Sequence, residues 1–266
     1  MKYAILFVIT LLGFPLLSKA DVNGTDKPNV VILFADDAGY ADFGFQPDAR
    51  PDMAGLTPHI DSIVANGARC SQAYVTVAVC SPSRAGLMTG RYQERFGHEL
   101  NLPPGAETGL PLTETFGVKR LREIGCHTGL IGKWHLGYPE AYHPNQRGYD
   151  HFYGLLQGSR SYYPYSDPTP DRVIRLNDSP TSEEGYVTDR LGDAACEYIK
   201  AHKDEPFYLF VSFTAPHGPR EPRKNAEDAN RVAHVVDKNR RDMRNSDCLG
   251  RQRRKSTGES QRKRIG

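Results

Sequence analysis

The chain has few cysteines, and their spacing matches no zinc site. Five occur among 266 residues: Cys70, Cys80, Cys126, Cys196 and Cys248. Because the number is odd, at least one of them has a role other than an intramolecular disulfide. Long apolar runs are also scarce. After residue 20 no segment reaches the roughly 20 apolar residues that cross a bilayer, so the sequence predicts no transmembrane segment.

Aromatic residues are missing from one end of the chain. Residues 220–266 contain no Phe, Tyr or Trp, and they carry 15 Lys and Arg against 7 Asp and Glu, a net charge of +8. Such a segment cannot bury enough apolar surface to order itself, so we expect a basic, disordered tail. A tail that binds nucleic acid or an anionic surface is the alternative. Two observations argue against a nucleic-acid partner: the segment lacks aromatic residues, and the chain has a predicted export signal, described next.

Residues 1–20 have the pattern of a secretory signal peptide. Lys2 is followed by an apolar run over 4–17, and Ser18-Lys19-Ala20 forms a small-x-small cleavage site. The run is too short for a transmembrane helix and contains Pro15. The sequence therefore predicts cleavage near Ala20 and a secreted or periplasmic mature protein.

Between the two ends, apolar runs alternate with amphipathic segments. This alternation predicts an α/β fold, a mostly parallel sheet with helices on both faces. The continuous apolar run at 29–37 is typical of a strand buried on both faces. The predicted strands are 29–37, 68–75, 127–135 and 206–218, and the predicted helices are 57–67, 82–89, 113–124 and 187–204.

A long segment rich in Tyr, Pro, Gly and Ser lies between two of these elements. Residues 136–185 predict a loop region, and its tandem aromatics Tyr162, Tyr163 and Tyr165 suit a sugar or an aryl group. Ordinary packing of the loop is the alternative interpretation of the same residues.

Polar side chains follow three of the predicted strands. Asp36 and Asp37 end the first strand, Lys133 and His135 end another, and His217 follows the last. In parallel sheets, binding sites form beyond the carboxyl ends of the strands, so we expect these groups to meet. The two aspartates are oxygen donors that suit a hard cation, or they simply begin a turn. Lys133 and His135 are two residues apart on a strand and should share one side.

The segment "VAVCSPSRAGLMTGRY" (77–92) carries the sharpest signal. Cys80 lies at the predicted start of a helix, where free backbone N–H groups attract anions and favour a thiolate. Pro82 suits the first helical turn. Arg84 is one turn after Cys80, so its guanidinium is placed to bind a tetrahedral oxyanion. A capped helix with a buried cysteine is the structural alternative.

The residues C-S-P-S-R-A-G-L-M-T-G-R-Y resemble the signature of type I sulfatases. "ADDAGY" is similar to the metal-binding strand end of that family, and "GLIGKWHLG" to its second signature; "PLTET" and "HPNQRGYDHFYG" fit between the remaining elements. The resemblance runs from about residue 28 to about residue 219. It identifies residues 21–219 as the N-terminal part of a sulfatase catalytic domain.

The resemblance implies the alkaline-phosphatase-like fold and hydrolysis of sulfate esters. In this family the motif cysteine, here Cys80, is oxidised to formylglycine (3-oxoalanine) by a generating enzyme that reads residues 80–84. One hydroxyl of the hydrated aldehyde attacks sulfur and displaces the alcohol. Loss of a proton from the other hydroxyl then expels sulfate. A thiolate would be left as a stable sulfated sulfur, whereas the paired hydroxyls have a way to release it.

The resemblance also implies a role for each remaining site residue. Asp36, Asp37 and the modified Cys80 would bind Ca²⁺. Lys133 and His217 would hold the sulfate oxygens. Arg84 would steady the modified side chain, and His135 would assist the reaction at it. Ser159 resembles a family serine that lies near the site.

The sequence departs from the family after residue 219. The family pattern continues to an Asp-Asn strand that completes the calcium site and to a further lysine, and neither is found here. The family-like text ends near Arg241, which suggests a shifted reading frame or a truncated gene and predicts weak calcium binding. The substrate expected from the aromatic loop is a sulfated sugar or an aryl sulfate. The alternatives are an inactive, anion-binding fragment and a phosphoesterase of the same fold.

Overall fold

The computed structural model describes residues 27–49, 51–167 and 169–219, together with Glu221 and Arg223. The predicted signal peptide and all but these two residues of the predicted basic tail lie outside the described residues. No helix within the described part is long and apolar enough to cross a membrane.

Within the described residues, six strands form one sheet in the order β1-β6-β2-β3-β4-β5. The pairs β1–β6, β6–β2 and β2–β3 are parallel, and the two short strands at the far edge are antiparallel. The strands are β1 (Val30–Asp36), β2 (His127–Lys133), β3 (His151–Leu155), β4 (Arg175–Leu176), β5 (Ser179–Pro180) and β6 (Phe207–Pro216). The helices are α1 (Pro58–Ala65), α2 (Cys80–Thr89), α3 (Gly117–Glu123) and α4 (Val187–Ala201).

Helices cover both faces of the central strands, as predicted. On β6, Leu209 and Val211 pack with Leu191 of α4, while Phe210 points to the opposite face. That opposite face is covered by side chains of α2 and α3, among them Met88. Because β6 lies between two parallel strands and under helices on both sides, its middle residues are fully buried.

Four sequence predictions about the elements are wrong. The segment 68–75 is an exposed loop instead of a strand, and 136–185 contains the three strands β3, β4 and β5. The third helix begins at Gly117 instead of residue 113: Phe116, the residue before it, has an extended backbone with ψ 145°, and the Glu114 carbonyl accepts a hydrogen bond from Arg147. β1 is parallel as predicted, but Val31 and Leu33 are exposed, because the helix on their face, α4, packs on β6, β2 and β3.

Candidate functional site

Parallel strands bring Asp36, Lys133 and His217 to one edge of the sheet. β1 ends at Asp36, β2 ends at Lys133, and His217 follows the last residue of β6. The Lys133 Nζ donates to Asp36 Oδ2 at 2.6 Å, and both side chains are buried. The prediction that these strand ends meet is therefore confirmed for the described residues.

Helix α2 begins at Cys80 and holds Arg84 beneath the strand ends. The guanidinium of Arg84 is buried, and its Nη2 donates to Asp36 Oδ1 at 3.1 Å. Its Nη1 donates to the Lys133 carbonyl at 3.0 Å and to Ser212 Oγ at 2.6 Å. Arg84 thus ties three strands together, and these bonds replace the oxyanion contact that its spacing from Cys80 suggested. Ser212, a buried residue of β6, was missed because nothing in its local sequence marks it.

Two buried cations surround the single carboxylate of Asp36. Burial alone would raise the pKa of Asp36, but the charges of Arg84 and Lys133 hold that pKa below its usual value. Burial, followed by the nearby charge of Arg84, lowers the pKa of Lys133, while Asp36 opposes that change. Asp36 therefore stays ionised although it is buried, because two cations lie beside it.

The thiol of Cys80 faces the imidazole of His217. A hydrogen bond with His217 lowers the pKa of Cys80, burial opposes this, and Lys133 lowers it further. The same hydrogen bond raises the pKa of His217 against the effect of burial. His217 Nδ1 lies 2.6 Å from the Gly218 carbonyl, which can only accept, so Nδ1 carries a proton and Nε2 is left for the hydrogen bond with Cys80.

His135 lies beside this cluster in a different setting from the one predicted. β2 ends at Lys133, and His135 takes a left-handed backbone with φ 62°, so strand alternation does not place the two side chains on one side. Its Nε2 lies 3.3 Å from the Leu102 carbonyl, and its buried Nδ1 has no hydrogen-bond partner among the described residues. Burial, then the charge of Lys133, lowers the pKa of His135 to about 3, so the ring is neutral.

The loop after β3 closes the site from another direction. A side chain at Gly158 would meet the His135 ring at 2.4 Å, so the glycine makes room for that ring. Ser159 follows it and is half-buried. Tyr162 fits the alternative interpretation, ordinary packing of the loop: it is buried, and its hydroxyl lies 2.9 Å from the Thr214 carbonyl and 2.8 Å from the His217 carbonyl, which share its single proton. Tyr162 therefore supports the backbone that carries His217.

The donors at the site suit a metal in part. One ligand atom each from Asp36, Cys80 and His217 lies within 4.8 Å of the others. The exposed Asp37 carboxylate lies 3.6 Å from His217 Nε2 and adds an oxygen donor. Calcium prefers six to eight oxygen ligands, so the two carboxylates fit it and the sulfur of Cys80 does not. Conversion of Cys80 to an oxygen-bearing side chain would remove this mismatch.

An ion pair holds the loop that carries Ser159 and Tyr162. Arg160 binds both carboxylate oxygens of Glu183, with Nη1 donating to Oε1 at 2.8 Å, and the Ile174 N–H donates to the same oxygen at 2.9 Å. The Arg160 side chain is fully buried. Burial would raise the pKa of Glu183, but the hydrogen bonds from Arg160 and Ile174 lower it below its usual value.

Replacing Glu183 with glutamine should destabilise the fold by about 3 kcal/mol, because it leaves a buried guanidinium without its charge partner. The folded-state pKa of Glu183 is below its unfolded value, so its contribution is present above the unfolded pKa and is lost as the pH falls through the folded pKa. Urea titrations from neutral to acidic pH should show the difference between the variant and the wild type shrinking. The matched control is Glu184→Gln at the neighbouring exposed position, and an equal loss there would contradict the prediction.

Comparison with known proteins places the site in context. Residues 28–256 match the sulfatase family, a range that continues past residue 219. Arylsulfatase G of Canis lupus familiaris is 41% identical over 151 residues, which cover 55% of this chain and 28% of that protein. Arylsulfatase J of Mus musculus is 31% identical over 211 residues, covering 76% of this chain and 34% of that protein.

A solved structure has the same fold. The crystal structure of Ps i-CgsB in complex with k-i-k-neocarrahexaose is 32% identical with a TM-score of 0.78, and the match covers 89% of this chain and 55% of that one. The chain spans less than two thirds of the length of each of these three relatives. The α/β fold predicted from the sequence is confirmed, and it is the fold of sulfatases.

Proposed function

The chain belongs to the sulfatase family, and from this premise we propose that it hydrolyses sulfate esters at the edge of the sheet where Cys80, Lys133 and His217 meet. The observation that carries the proposal is the position of Cys80. It begins a helix, contacts an imidazole, and lies near the buried cation of Lys133. A group with this environment is suited to react with a bound anion.

The residues around Cys80 divide the work between binding and support. The Lys133 ammonium has three protons and gives one to Asp36, which leaves others for sulfate oxygens. His217 presents Nε2 toward the cluster, where it can bind an oxygen that replaces the thiolate. Arg84 holds Asp36 and the Lys133 carbonyl in place. His135 is neutral, and its unpartnered Nδ1 can accept a proton or a hydrogen bond from a hydroxyl at the site.

We propose that Cys80 is converted to formylglycine by a generating enzyme that reads residues 80–84. When formed, this group supplies a hydrated aldehyde whose hydroxyls take the place of the sulfur. Asp36 and Asp37, with that residue, are the proposed holders of Ca²⁺. Their oxygens match a hard cation once the sulfur is gone, and Tyr162 and the Gly218 carbonyl keep His217 oriented beside them.

The proposed substrate class is a sulfated carbohydrate. Ps i-CgsB, the relative with 32% identity, was solved with an oligosaccharide, which supports a sugar over a simple aryl group. The aromatic loop gives less support than the sequence suggested, because Tyr162 is buried under His217. Ser159 follows Gly158, the glycine against the His135 ring, and is half-buried. It is the proposed contact of this loop with the substrate.

The full chain, coexpressed with a formylglycine-generating enzyme, should release inorganic sulfate from sulfated oligosaccharides and from a chromogenic aryl sulfate. Ion chromatography measures the product, and the corresponding phosphate esters are the matched controls. We expect initial rates on sulfate esters to exceed those on phosphate esters by at least about 100-fold, since the family chemistry is specific to sulfur. Faster phosphate release would favour a phosphoesterase. Sulfate binding without turnover would favour an inactive, anion-binding protein.

A further inference from the structure

The helix that begins with Cys80 cannot cap its own start. The residue before it is Val79, whose side chain has no hydrogen-bonding atom, and no side-chain cap comes from that position. Pro82 has no N–H group, and the Ser83 N–H donates to the Val79 carbonyl at 2.9 Å. The amide of Ser81 therefore needs a partner from elsewhere in the chain.

That partner comes from the loop formed by residues 98–102. Asn101 Oδ1 accepts a hydrogen bond from the Ser81 N–H at 2.9 Å, although Asn101 is twenty positions away and is itself exposed. The amide oxygen thus occupies the place that a Ser, Thr or Asp at the helix start would normally fill. A distant loop fixes the first turn of the helix and hence the backbone of residue 80.

The side chain of Ser81 is held by the same loop. Ser81 Oγ donates to the His135 carbonyl at 2.6 Å, and since that carbonyl can only accept, the single hydroxyl proton is used there. His98 Nε2 lies 2.7 Å from the same oxygen and is therefore the donor. His98 is buried, and burial lowers its pKa, which agrees with a neutral ring protonated at Nε2.

A third contact joins this loop to the site. The Leu102 carbonyl accepts from Nε2 of His135, whose own backbone carbonyl receives the Ser81 hydroxyl. The loop thus links the first turn of α2 to His135, two residues after the end of β2. The strand end, the helix start and the histidine ring share one network of hydrogen bonds.

We propose that His98 and Asn101 are positioning residues that set the place of residue 80 relative to Lys133 and His135. The inference rests on the proposed function, because it assigns the loop a task in that reaction. Neither residue is placed against the substrate or the reacting atoms; both act through Ser81. Small misplacements of a reacting group cost up to about 100-fold in rate, so the effect should appear in kcat more than in KM.

The test compares variants that remove each hydrogen bond with variants that keep it, in the full chain coexpressed with the generating enzyme. Asn101→Leu and His98→Leu remove the contacts. Asn101→Asp keeps an acceptor oxygen, and His98→Gln keeps a donor nitrogen. We expect kcat on an aryl sulfate to fall about 5-fold for N101L and about 10- to 100-fold for H98L, with KM within about twofold of wild type. N101D and H98Q should recover most of the loss.

Two further readouts separate positioning from other causes. The fraction of Cys80 converted to formylglycine, measured by peptide mass, should be unchanged, and the exposed loop variant Glu99→Gln should match wild type. Hydrogen exchange of the Ser81 amide should accelerate in N101L and not in N101D, while amides of α4 stay protected. If N101D loses as much kcat as N101L, or if conversion falls in parallel with rate, the proposal is overturned.

The exchange measurement also keeps the two proposals apart. Should the wild type turn over no ester, the proposed function fails, and the Ser81 amide still decides whether Asn101 caps the helix. Unchanged exchange in N101L would overturn the positioning role whatever the activity.

Discussion

Replacing Cys80 with alanine is expected to lower kcat for sulfate-ester hydrolysis by about 10⁴-fold or more, the usual size of effect when a covalent nucleophile is lost. The physical reason is that Lys133 and His217 remain in place to bind the anion, but nothing is left to attack sulfur. Because binding groups are retained, the variant should still bind inorganic sulfate. The loss should therefore appear in kcat, with KM or the sulfate inhibition constant changed little.

The measurement pairs rates with peptide masses. In the wild type made with the generating enzyme, the peptide spanning Cys80 should be lighter than its thiol form by the exchange of sulfur for oxygen and the loss of two hydrogens. Activity should scale with the converted fraction, and protein from a host without that enzyme should behave like Cys80→Ala. Cys70→Ala, at an exposed cysteine, is the matched control. Full activity in a preparation whose Cys80 is entirely an alkylatable thiol would refute the role of the modification.

Much of the candidate site followed from one rule about strands. Asp36, Lys133 and His217 end separate apolar runs, and the carboxyl ends of parallel strands meet at one edge, so their meeting was predictable without coordinates. The helix that starts near Cys80 was equally visible, since Pro82 marks its first turn and Gly90, with φ 66°, its end. The sequence pattern was enough to predict the position of a residue wherever that position depended only on its own strand or helix.

The parts that were missed depend on contacts between distant segments. Arg84 binds Ser212, 128 positions away, and this use of the guanidinium cannot be inferred from its distance to Cys80 alone. Tyr162 supports His217 from a loop 55 residues earlier, so its aromatic character alone could not decide between sugar binding and packing. His98 and Asn101 stand in the segment "GHELN", which carries no spacing signal. Their contacts with Ser81, at the start of α2, are seen only in the folded structure.

The buried charges under the site lead to the largest expected effect on stability. Asp36 is 5% exposed, Lys133 is 0% exposed and Arg84 is 1% exposed, so one carboxylate serves two buried cations. Asp36→Asn keeps the shape of the side chain but removes the only negative charge of this triad. Two unpaired cations then remain in a low-dielectric setting, and breaking a buried pair in this way costs about 3–5 kcal/mol.

The opposite deletion should be milder. Lys133→Met removes one cation and leaves Asp36 with the guanidinium of Arg84, a balanced pair with hydrogen bonds of its own. We therefore expect the free energy of unfolding to fall less in Lys133→Met than in Asp36→Asn, although both variants should lose activity. Asp37→Asn, at a side chain 61% exposed, should change stability by no more than about 1 kcal/mol.

Urea denaturation of the full chain, in a buffer with a calcium chelator, measures the three variants against wild type on equal terms. The chelator is needed because Asp36 and Asp37 are the proposed calcium ligands, and metal bound only to the folded state would add stability of its own. The predicted order of destabilisation is Asp36→Asn, then Lys133→Met, then Asp37→Asn. If Lys133→Met unfolds as easily as Asp36→Asn, the lysine contributes packing or hydrogen bonds that outweigh its excess charge, and the description of one carboxylate shared by two cations is wrong.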